Sequence, residues 1–160
     1  MEFQIEQVAL APRDPEAARE LLKALGATKM VIDHVQATGE VFGQRADNAA
    51  ELSFDYQLLK GGELEILAYE GGPNWLDLRN DADPHRASHL GMHCTEDELK
   101  RWKRFFNSRG IGIAQEVHTL THTNPHIAGK RWYHYCIFNT YPILGIDLKL
   151  IVRIDARADI

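Results

Sequence analysis

The chain has 160 residues, of which 44% are hydrophobic and 26% are charged, and its formal net charge is −5. This length and composition predict a single soluble globular domain, with enough apolar material for a core that needs no disulfide staple. An acidic chain without a basic run argues against nucleic acid as a partner.

The cysteines and the N-terminal residues indicate in which cellular compartment we expect the protein. Cys94 and Cys136 lie in apolar contexts without CxxC spacing, so we expect free thiols in a reducing environment. The opening residues, MEFQIEQVAL, lack the features of a signal peptide, and no apolar run approaches the ~20 residues of a membrane span. We therefore expect a cytoplasmic protein without a membrane partner.

The first half of the chain predicts a strand, a helix and three further strands. FQIEQVALAP has the alternation of a strand. In RDPEAARELLKALGA, Asp14 is a candidate helix N-cap, Pro15 suits the first helical position and Gly26 suits the stop. The next three strands are predicted in KMVIDHVQATGEVF, AAELSFDYQLLKG and GELEILAYEG, with KGGE as a hairpin turn.

The second half repeats this order after a polar segment, GGPNWLDLRNDADPHRAS, which we interpret as a linker. HLGMHC predicts a strand, and TEDELKRWKRFFNSRG predicts a helix with Thr95 and Glu98 as a capping box. Three more strands are predicted in IAQEVHTLTH, RWYHYCIFN and ILGIDLKLIV. Within one domain of residues 1–160, module one then covers about 1–72, the linker about 73–87 and module two about 88–154.

Four polar residues take equivalent positions if the two halves are equivalent. Aligning the first strands and their helices matches Gln7 with His89, and aligning the last strands matches Glu65 with Asp147. The separation within each half is the same, 58 residues. All four side chains can donate an oxygen or an imidazole nitrogen to a metal ion.

These motifs resemble the vicinal oxygen chelate superfamily, which includes glyoxalase I, extradiol dioxygenases and bleomycin-resistance proteins. QVALAPRDP, LEILAY, HLGMH and PILGIDL are similar to the four ligand-bearing strands of that family, and the resemblance covers essentially the whole chain. It implies an α+β fold in which two βαβββ modules form a cup-shaped, half-barrel mixed sheet with helices on the outside. It also implies a divalent metal ion (Zn, Ni, Fe, Mn or Co), held by Gln7, Glu65, His89 and Asp147.

Two departures from the family pattern leave alternatives open. Asp147 stands where the family has a longer Glu, and PILGIDL lacks the family's polar turn. A slip of two residues would place Lys149, which cannot be a ligand while charged, at the ligand position. A salt bridge between Asp147 and Lys149 is the structural alternative for a carboxylate in an apolar strand.

The predicted ligand set indicates Lewis-acid chemistry. A metal with open positions could bind a substrate through two neighbouring oxygens and stabilise an enolate or catecholate. Glu65 or Asp147 could then leave the metal and act as a general base, which makes them the candidate catalytic residues. Candidate substrate contacts are His93, which shares the strand face of His89, together with His118, His122, Trp132 and His134.

Three functions are compatible with the sequence. The first is a glyoxalase-like, divalent-metal-dependent enzyme (a lyase, isomerase or oxygenase) that acts on a small substrate chelating the metal through neighbouring oxygens. The second is a metal-free protein of the bleomycin-resistance kind that binds an aromatic or cationic drug or antibiotic in an acidic cup. The third is an Fe(II) extradiol dioxygenase, which Gln7 disfavours because it stands where a histidine is expected. By analogy with the family we also expect a homodimer.

Overall fold

A computed structural model of the chain describes residues 1–79 and 86–156. The strands in these ranges are β1 (Gln7–Ala11), β2 (Val31–Val41), β3 (Gln44–Asp55), β4 (Glu63–Gly71), β5 (Arg86–His93), β6 (Ile113–His122), β7 (Arg131–Phe138) and β8 (Asp147–Asp155). The helices are α1 (Pro15–Ala24), α2 (Trp75–Arg79), α3 (Glu96–Ser108) and α4 (Tyr141–Leu144). None of these helices is long and apolar enough to cross a membrane.

The sheet is mixed and closes into a barrel with the strand order β1-β4-β3-β2-β6-β7-β8-β5. The pairs β1–β4 and β5–β8 are parallel, and the other neighbouring strands are antiparallel. The α+β class and the mixed sheet agree with the sequence-based expectation. The half-barrel is wrong, because β5 pairs with β1 and leaves no open edge.

The two longer helices begin where the sequence predicts. The Asp14 side chain accepts a hydrogen bond from the backbone N–H of Ala17 at 3.0 Å, which caps α1. At α3, Thr95 and Glu98 form the expected reciprocal capping box. Both boundaries were predictable because caps are local in sequence.

The segment interpreted as a linker contains more regular structure than its polar composition predicts. It contains α2, whose Trp75 and Leu76 are only 1% and 2% exposed. The side chain of Asn74 caps this helix by accepting a hydrogen bond from the N–H of Asp77 at 3.0 Å. Of the remaining linker, residues 80–85 lie outside the described residues, and β5 already begins at Arg86.

The start of the last strand also differs from the expectation. Tyr141–Leu144 form the short helix α4, which ends at Gly145 with a positive φ of 74°. β8 therefore begins at Asp147. A left-handed backbone at Gly145 is easily adopted by glycine and reverses the chain just before the strand.

Apolar side chains fill two separate regions. One cluster lies inside the barrel towards α2 and includes Val35, Leu67, Trp75 and Ile137. The other lies between α3 and the outer faces of β7 and β8, with members Leu99, Trp102, Phe106, Phe138 and Leu150. The rest of the barrel interior carries polar and charged side chains, and these form the candidate site.

Candidate functional site

The two parallel ladders can be compared step by step between the halves. Both ladders place a first-strand residue beside a last-strand residue, so equivalent steps can be compared directly. The pairs are Gln7–Glu63 and Ala9–Glu65 in β1–β4, and His89–Asp147 and Gly91–Lys149 in β5–β8.

This register corrects the alignment made from sequence. Suppose that Gln7 corresponds to His89. Their partners in the last strands are Glu63 and Asp147, respectively. Glu65 and Lys149 each lie two residues beyond those partners, so they correspond to each other. Asp147 instead corresponds to Glu63, the residue that pairs with Gln7. The equal spacing of 58 residues was therefore misleading by two positions. The two-residue slip noted above is the register that the ladders support.

Three of the four predicted metal ligands do meet inside the barrel. Gln7, Glu65 and His89 are 3%, 1% and 0% exposed. The Nε2 atom of His89 lies 2.9 Å from Oε1 of Gln7 and 3.6 Å from Oε2 of Glu65. The sequence thus identified a genuine polar cluster, although it placed a different fourth member in it.

Hydrogen bonds fix the protonation of His89. Gln7 donates its amide NH₂ group to Glu63, so the amide oxygen of Gln7 faces His89. Nε2 of His89 must then carry the proton, and Nδ1 accepts from the Ser88 hydroxyl at 2.8 Å. Burial and the charge of Lys149 lower the pKa of His89 to about 4, so the imidazole is neutral at pH 7.

Lys149 is the buried cation that acts on Glu65, although burial lowers the pKa of Lys149 and the carboxylates of Glu65 and Glu63 offset this only in part. Its Nζ lies 4.0 Å from the ring centroid of Tyr135, a cation–π contact. Burial alone would raise the pKa of Glu65, but Lys149 and His89 outweigh it and the pKa falls below its ordinary value. Glu65 is therefore charged at neutral pH, and neither of its carboxylate oxygens has a hydrogen-bond partner among the described residues.

Asp147 belongs to a different network, at the end of the barrel where α2 packs. Its Oδ2 accepts from the indole N–H of Trp75 at 2.9 Å and pairs with the Arg79 guanidinium, while its Oδ1 accepts from the N–H of Tyr141 at 3.0 Å. The predicted salt bridge to Lys149 is wrong because Arg79 takes this carboxylate. Asp147 does not join the other three predicted ligands.

The described residues therefore do not fit the expected four-ligand metal site. The position that would complete the set holds Lys149, whose ammonium repels a metal cation and has no lone pair to donate. Within residues 1–79 and 86–156, the group of His, Cys, Asp or Glu side chains whose ligand atoms lie within 4.8 Å of one another is elsewhere, at the surface: His34, Glu51 and Glu70.

A cavity of about 230 Å³ occupies the barrel on the side away from α2. A smaller void of about 40 Å³ lies towards α2. The layer that lines both spaces consists of Leu52, Glu65, Tyr135 and Lys149. The charged pair therefore forms the floor of the larger cavity.

The predicted substrate contacts divide between the two faces of the sheet. His93 and His122 line the cavity. His93 lies at the rim, with Nδ1 2.8 Å from Oε2 of Glu6. In β7 the inward residues are Tyr133 and Tyr135, which line the cavity.

Trp132 and His134 alternate with those tyrosines and point away from the cavity. His118 stacks on His134 with ring centroids 4.1 Å apart, also outside the barrel. Alternation along one strand does not indicate which face is inside, and Trp132, His134 and His118 lie on the face away from the cavity. Sequence reasoning missed Asp33, Tyr133, Tyr135 and Lys149, although the two-residue alternation of RWYHYC does place both tyrosines on one face.

Comparison with known proteins bears on the fold. No family model matches the chain, and no curated protein matches its sequence. Among solved structures, it is similar to a hypothetical protein from Bacillus halodurans C-125, with 10% identity, 98% of both chains covered and a TM-score of 0.54. A mutant of 4-hydroxymandelate synthase from Streptomyces coelicolor gives 12% identity and a TM-score of 0.56, with 97% of this chain and 49% of that chain covered.

Methylmalonyl-CoA epimerase from Mycobacterium tuberculosis gives 13% identity and a TM-score of 0.49, with 92% of this chain and 86% of that chain covered. The synthase is a vicinal oxygen chelate protein. The barrel has the vicinal oxygen chelate fold. At these identities the likeness concerns the fold alone, so the chemistry has to be argued from the residues of the cavity.

Proposed function

We propose that the barrel is a metal-independent binding site for a small organic molecule that carries hydrogen-bond donors. The observation that carries this proposal is the state of Glu65. Its carboxylate is buried and charged, it lines the cavity, and both of its oxygens lack a hydrogen-bond partner among the described residues. A buried carboxylate in this state favours a ligand that brings N–H or O–H groups.

The charges of the cavity favour a neutral or cationic ligand. Carboxylates are contributed by Asp33, Glu63 and Glu65, and the buried cation is Lys149. Arg131 also reaches the cavity, but its Nε donates to Asp155 at 3.0 Å. An anionic ligand would add a further negative charge to a poorly solvated space, which is unfavourable.

Aromatic side chains give the cavity flat apolar walls. Tyr133 and Tyr135 stack with their ring centroids 5.5 Å apart, and Phe54 and Tyr56 also line the space. The ammonium of Lys149 already contacts the ring of Tyr135 and is attracted by the charge of Glu65. A ligand amine attached to an aromatic ring would find both kinds of contact.

The two metal-dependent functions are less well supported. A glyoxalase-like enzyme would have to hold its metal with Gln7, Glu65 and His89 beside the ammonium of Lys149. An Fe(II) dioxygenase needs two histidines and a carboxylate, and His93, which shares a strand face with His89, is turned to Glu6 at the rim. We derive no reaction step through a metal ion.

The proposal is tested with two probes of similar size and opposite charge. We expect tyramine to bind in calorimetric titrations and 4-hydroxyphenylacetate to bind at least about tenfold more weakly. The Glu65→Gln variant should lose the preference for the amine. His118→Gln, a change on the outer wall, is the matched control and should retain it.

Either of two results would contradict the proposal: tighter binding of the carboxylate probe, or near-stoichiometric Zn, Ni, Mn, Fe or Co in the purified protein that His89→Ala removes. The second result would favour the metal-dependent enzyme instead. We also propose that the two βαβββ halves are equivalent modules and that the protein is a cytoplasmic homodimer. Light scattering on the purified protein measures the oligomeric state.

A further inference from the structure

A second polar pair lies in the wall of the same cavity, separate from Glu65 and Lys149. His122 at the end of β6 and Asp33 near the start of β2 are joined by a hydrogen bond of 2.7 Å between Nδ1 and Oδ2. Their side chains are 2% and 1% exposed, and both residues line the cavity. The tyrosine ring that packs against His122 is that of Tyr133, with centroids 5.6 Å apart.

Asp33 is held as a carboxylate by several donors. Its Oδ1 accepts from the backbone N–H groups of Thr123 and Asn124, both at 2.9 Å. Burial would raise its pKa, but these hydrogen bonds and the contact with His122 lower it below the ordinary value. Only Oδ1 binds the turn after β6, and Oδ2 accepts the hydrogen bond from the imidazole.

This geometry fixes the tautomer of a neutral His122. A charged carboxylate can only accept, so Nδ1 must carry the proton and the ring lone pair is on Nε2. The Nε2 atom is buried and has no hydrogen-bond partner among the described residues. A histidine oriented by a carboxylate through Nδ1, with its other nitrogen unpartnered, is the arrangement of a general base.

A structural role for the pair is the simpler alternative, since Asp33 caps the turn. That role explains the two backbone hydrogen bonds, but it gives no reason for a buried imidazole nitrogen without a partner in a cavity wall. Leaving such an acceptor unsatisfied is unfavourable. A bound donor would remove this cost.

We propose that His122, positioned by Asp33, accepts a proton from an acidic hydroxyl of the ligand bound in the cavity. The inference rests on the proposed binding function and adds that the ligand carries a phenol-like O–H. In the step, the ligand O–H bond breaks and an N–H bond forms at Nε2, while the electron pair stays on the ligand oxygen. The resulting imidazolium is stabilised by Asp33 and forms an ion pair with the phenolate.

The tautomer can be tested first, without any ligand. Long-range ¹H–¹⁵N spectra of the protein, assigned with His122→Gln, should show that the neutral His122 ring carries its proton on Nδ1 and its lone pair on Nε2. A neutral ring with its proton on Nε2 would overturn the inference and would leave the proposed binding function untouched.

Proton transfer is tested with 4-nitrophenol, whose phenolate absorbs visible light. We expect the bound probe to ionise at least about tenfold more readily than the free probe, because the imidazolium stabilises the phenolate. His122→Gln and Asp33→Asn should abolish this gain, whereas His118→Gln should keep it. 4-Nitroanisole, which has no acidic proton, measures binding alone.

The outcomes separate the two proposals. Binding of both probes without enhanced ionisation, or equal ionisation in His122→Gln, would overturn the role of His122 and leave the binding site standing. Binding of neither probe would count against the aromatic ligand class and therefore against both proposals. Enhanced ionisation that depends on His122 and Asp33 is the result we expect.

Discussion

The two parallel strand pairs, β1–β4 and β5–β8, have matching ladders but different chemistry. In β4, the next inward residue after Glu63 is Glu65. In β8, the next inward residue after Asp147 is Lys149. A carboxylate in one half thus faces an ammonium from the other across the barrel floor. The register fixes where a side chain is held, and the residue type alone then decides whether the site suits a metal ion or carries its own cation.

The same pair of ladders also explains the fate of Asp147. It lies one inward step earlier than Lys149, nearer to α2, where Arg79 and Trp75 are within reach. Its counterpart in the first half, Glu63, instead lies on the cavity side and accepts hydrogen bonds from Gln7 and Tyr56. Two residues at equivalent steps therefore serve opposite ends of the barrel, because β1 and β4 run in the opposite direction to β5 and β8.

The largest expected effect comes from making the two halves alike. In Lys149→Glu, two buried carboxylates face each other without a cation, and we expect the metal-free protein to lose about 3 kcal/mol or more of unfolding free energy. Gln7, Glu65, His89 and the new carboxylate would then resemble the predicted ligand set. A divalent metal such as Zn²⁺ should bind and restore stability, with a gain that grows with the logarithm of its free concentration above the dissociation constant. Urea unfolding with and without the metal measures both effects.

The matched variant is Lys149→Met, which removes the charge but offers no ligand. It should also be destabilised, because Glu65 loses its counter-charge, yet Zn²⁺ should not restore it. Equal rescue of the two variants, or Zn²⁺ binding by the unchanged protein, would show that the identity of residue 149 does not decide metal binding. The comparison between the halves would then lose its chemical meaning.

A smaller effect is expected at Asp147. In Trp75→Phe the ring packing is largely kept and the indole hydrogen bond to Oδ2 is lost, so we expect a cost of about 1–3 kcal/mol. Thermal or urea unfolding measures it. The change should leave tyramine binding unaltered, because Asp147 does not line the cavity. Loss of binding in Trp75→Phe would indicate that the α2 end and the cavity are coupled.

The sequence predicted the elements that depend on local signals. The caps at Asp14 and Thr95 and the alternation of apolar residues were sufficient for α1, α3 and the order of the strands. It also brought Gln7, Glu65 and His89 together, because each lies on an inward face of a strand that belongs to the barrel floor. The helices and strands needed only patterns within a few residues, whereas the cluster needed the alignment of the two halves and the family resemblance.

The failures concern long-range geometry. The closure of the barrel depends on the β1–β5 ladder between strands about eighty residues apart, which no local pattern encodes. The assignment of Asp147 failed because one equal spacing cannot distinguish registers two residues apart. The polar composition of the linker hid α2, although Asn74 followed by Asp77 three residues later, beside Trp75 and Leu76, was a usable cap signal.

The smallest expected effect concerns the helices, where the halves differ again. α1 has no buried residue, and its Arg19 pairs with Glu51 on the sheet. α3 is held more firmly, because His134 on β7 lies between Glu96 and Glu116. Its Nδ1 is 2.9 Å from Oε1 of Glu96, and its Nε2 is 2.8 Å from Oε1 of Glu116. Burial would lower the pKa of His134, but the two carboxylates outweigh it and raise the pKa. His134, Lys103 and their hydrogen bonds lower the pKa of Glu116 to about 2.

The signs of these shifts predict a pH window for the second half. The raised pKa of His134 means that its contribution is fully present below about pH 6.5 and is lost as the pH rises through the folded value. The lowered pKa of Glu116 means that its contribution is present above about pH 4.5 and is lost as the pH falls towards 2. We expect His134→Gln to destabilise the protein by up to about 1 kcal/mol more at pH 5.5 than at pH 8.5 in urea unfolding. His126→Gln, at an exposed position, is the control, and an equal loss at both pH values in His134→Gln would mean that His134 is held by packing rather than by charge.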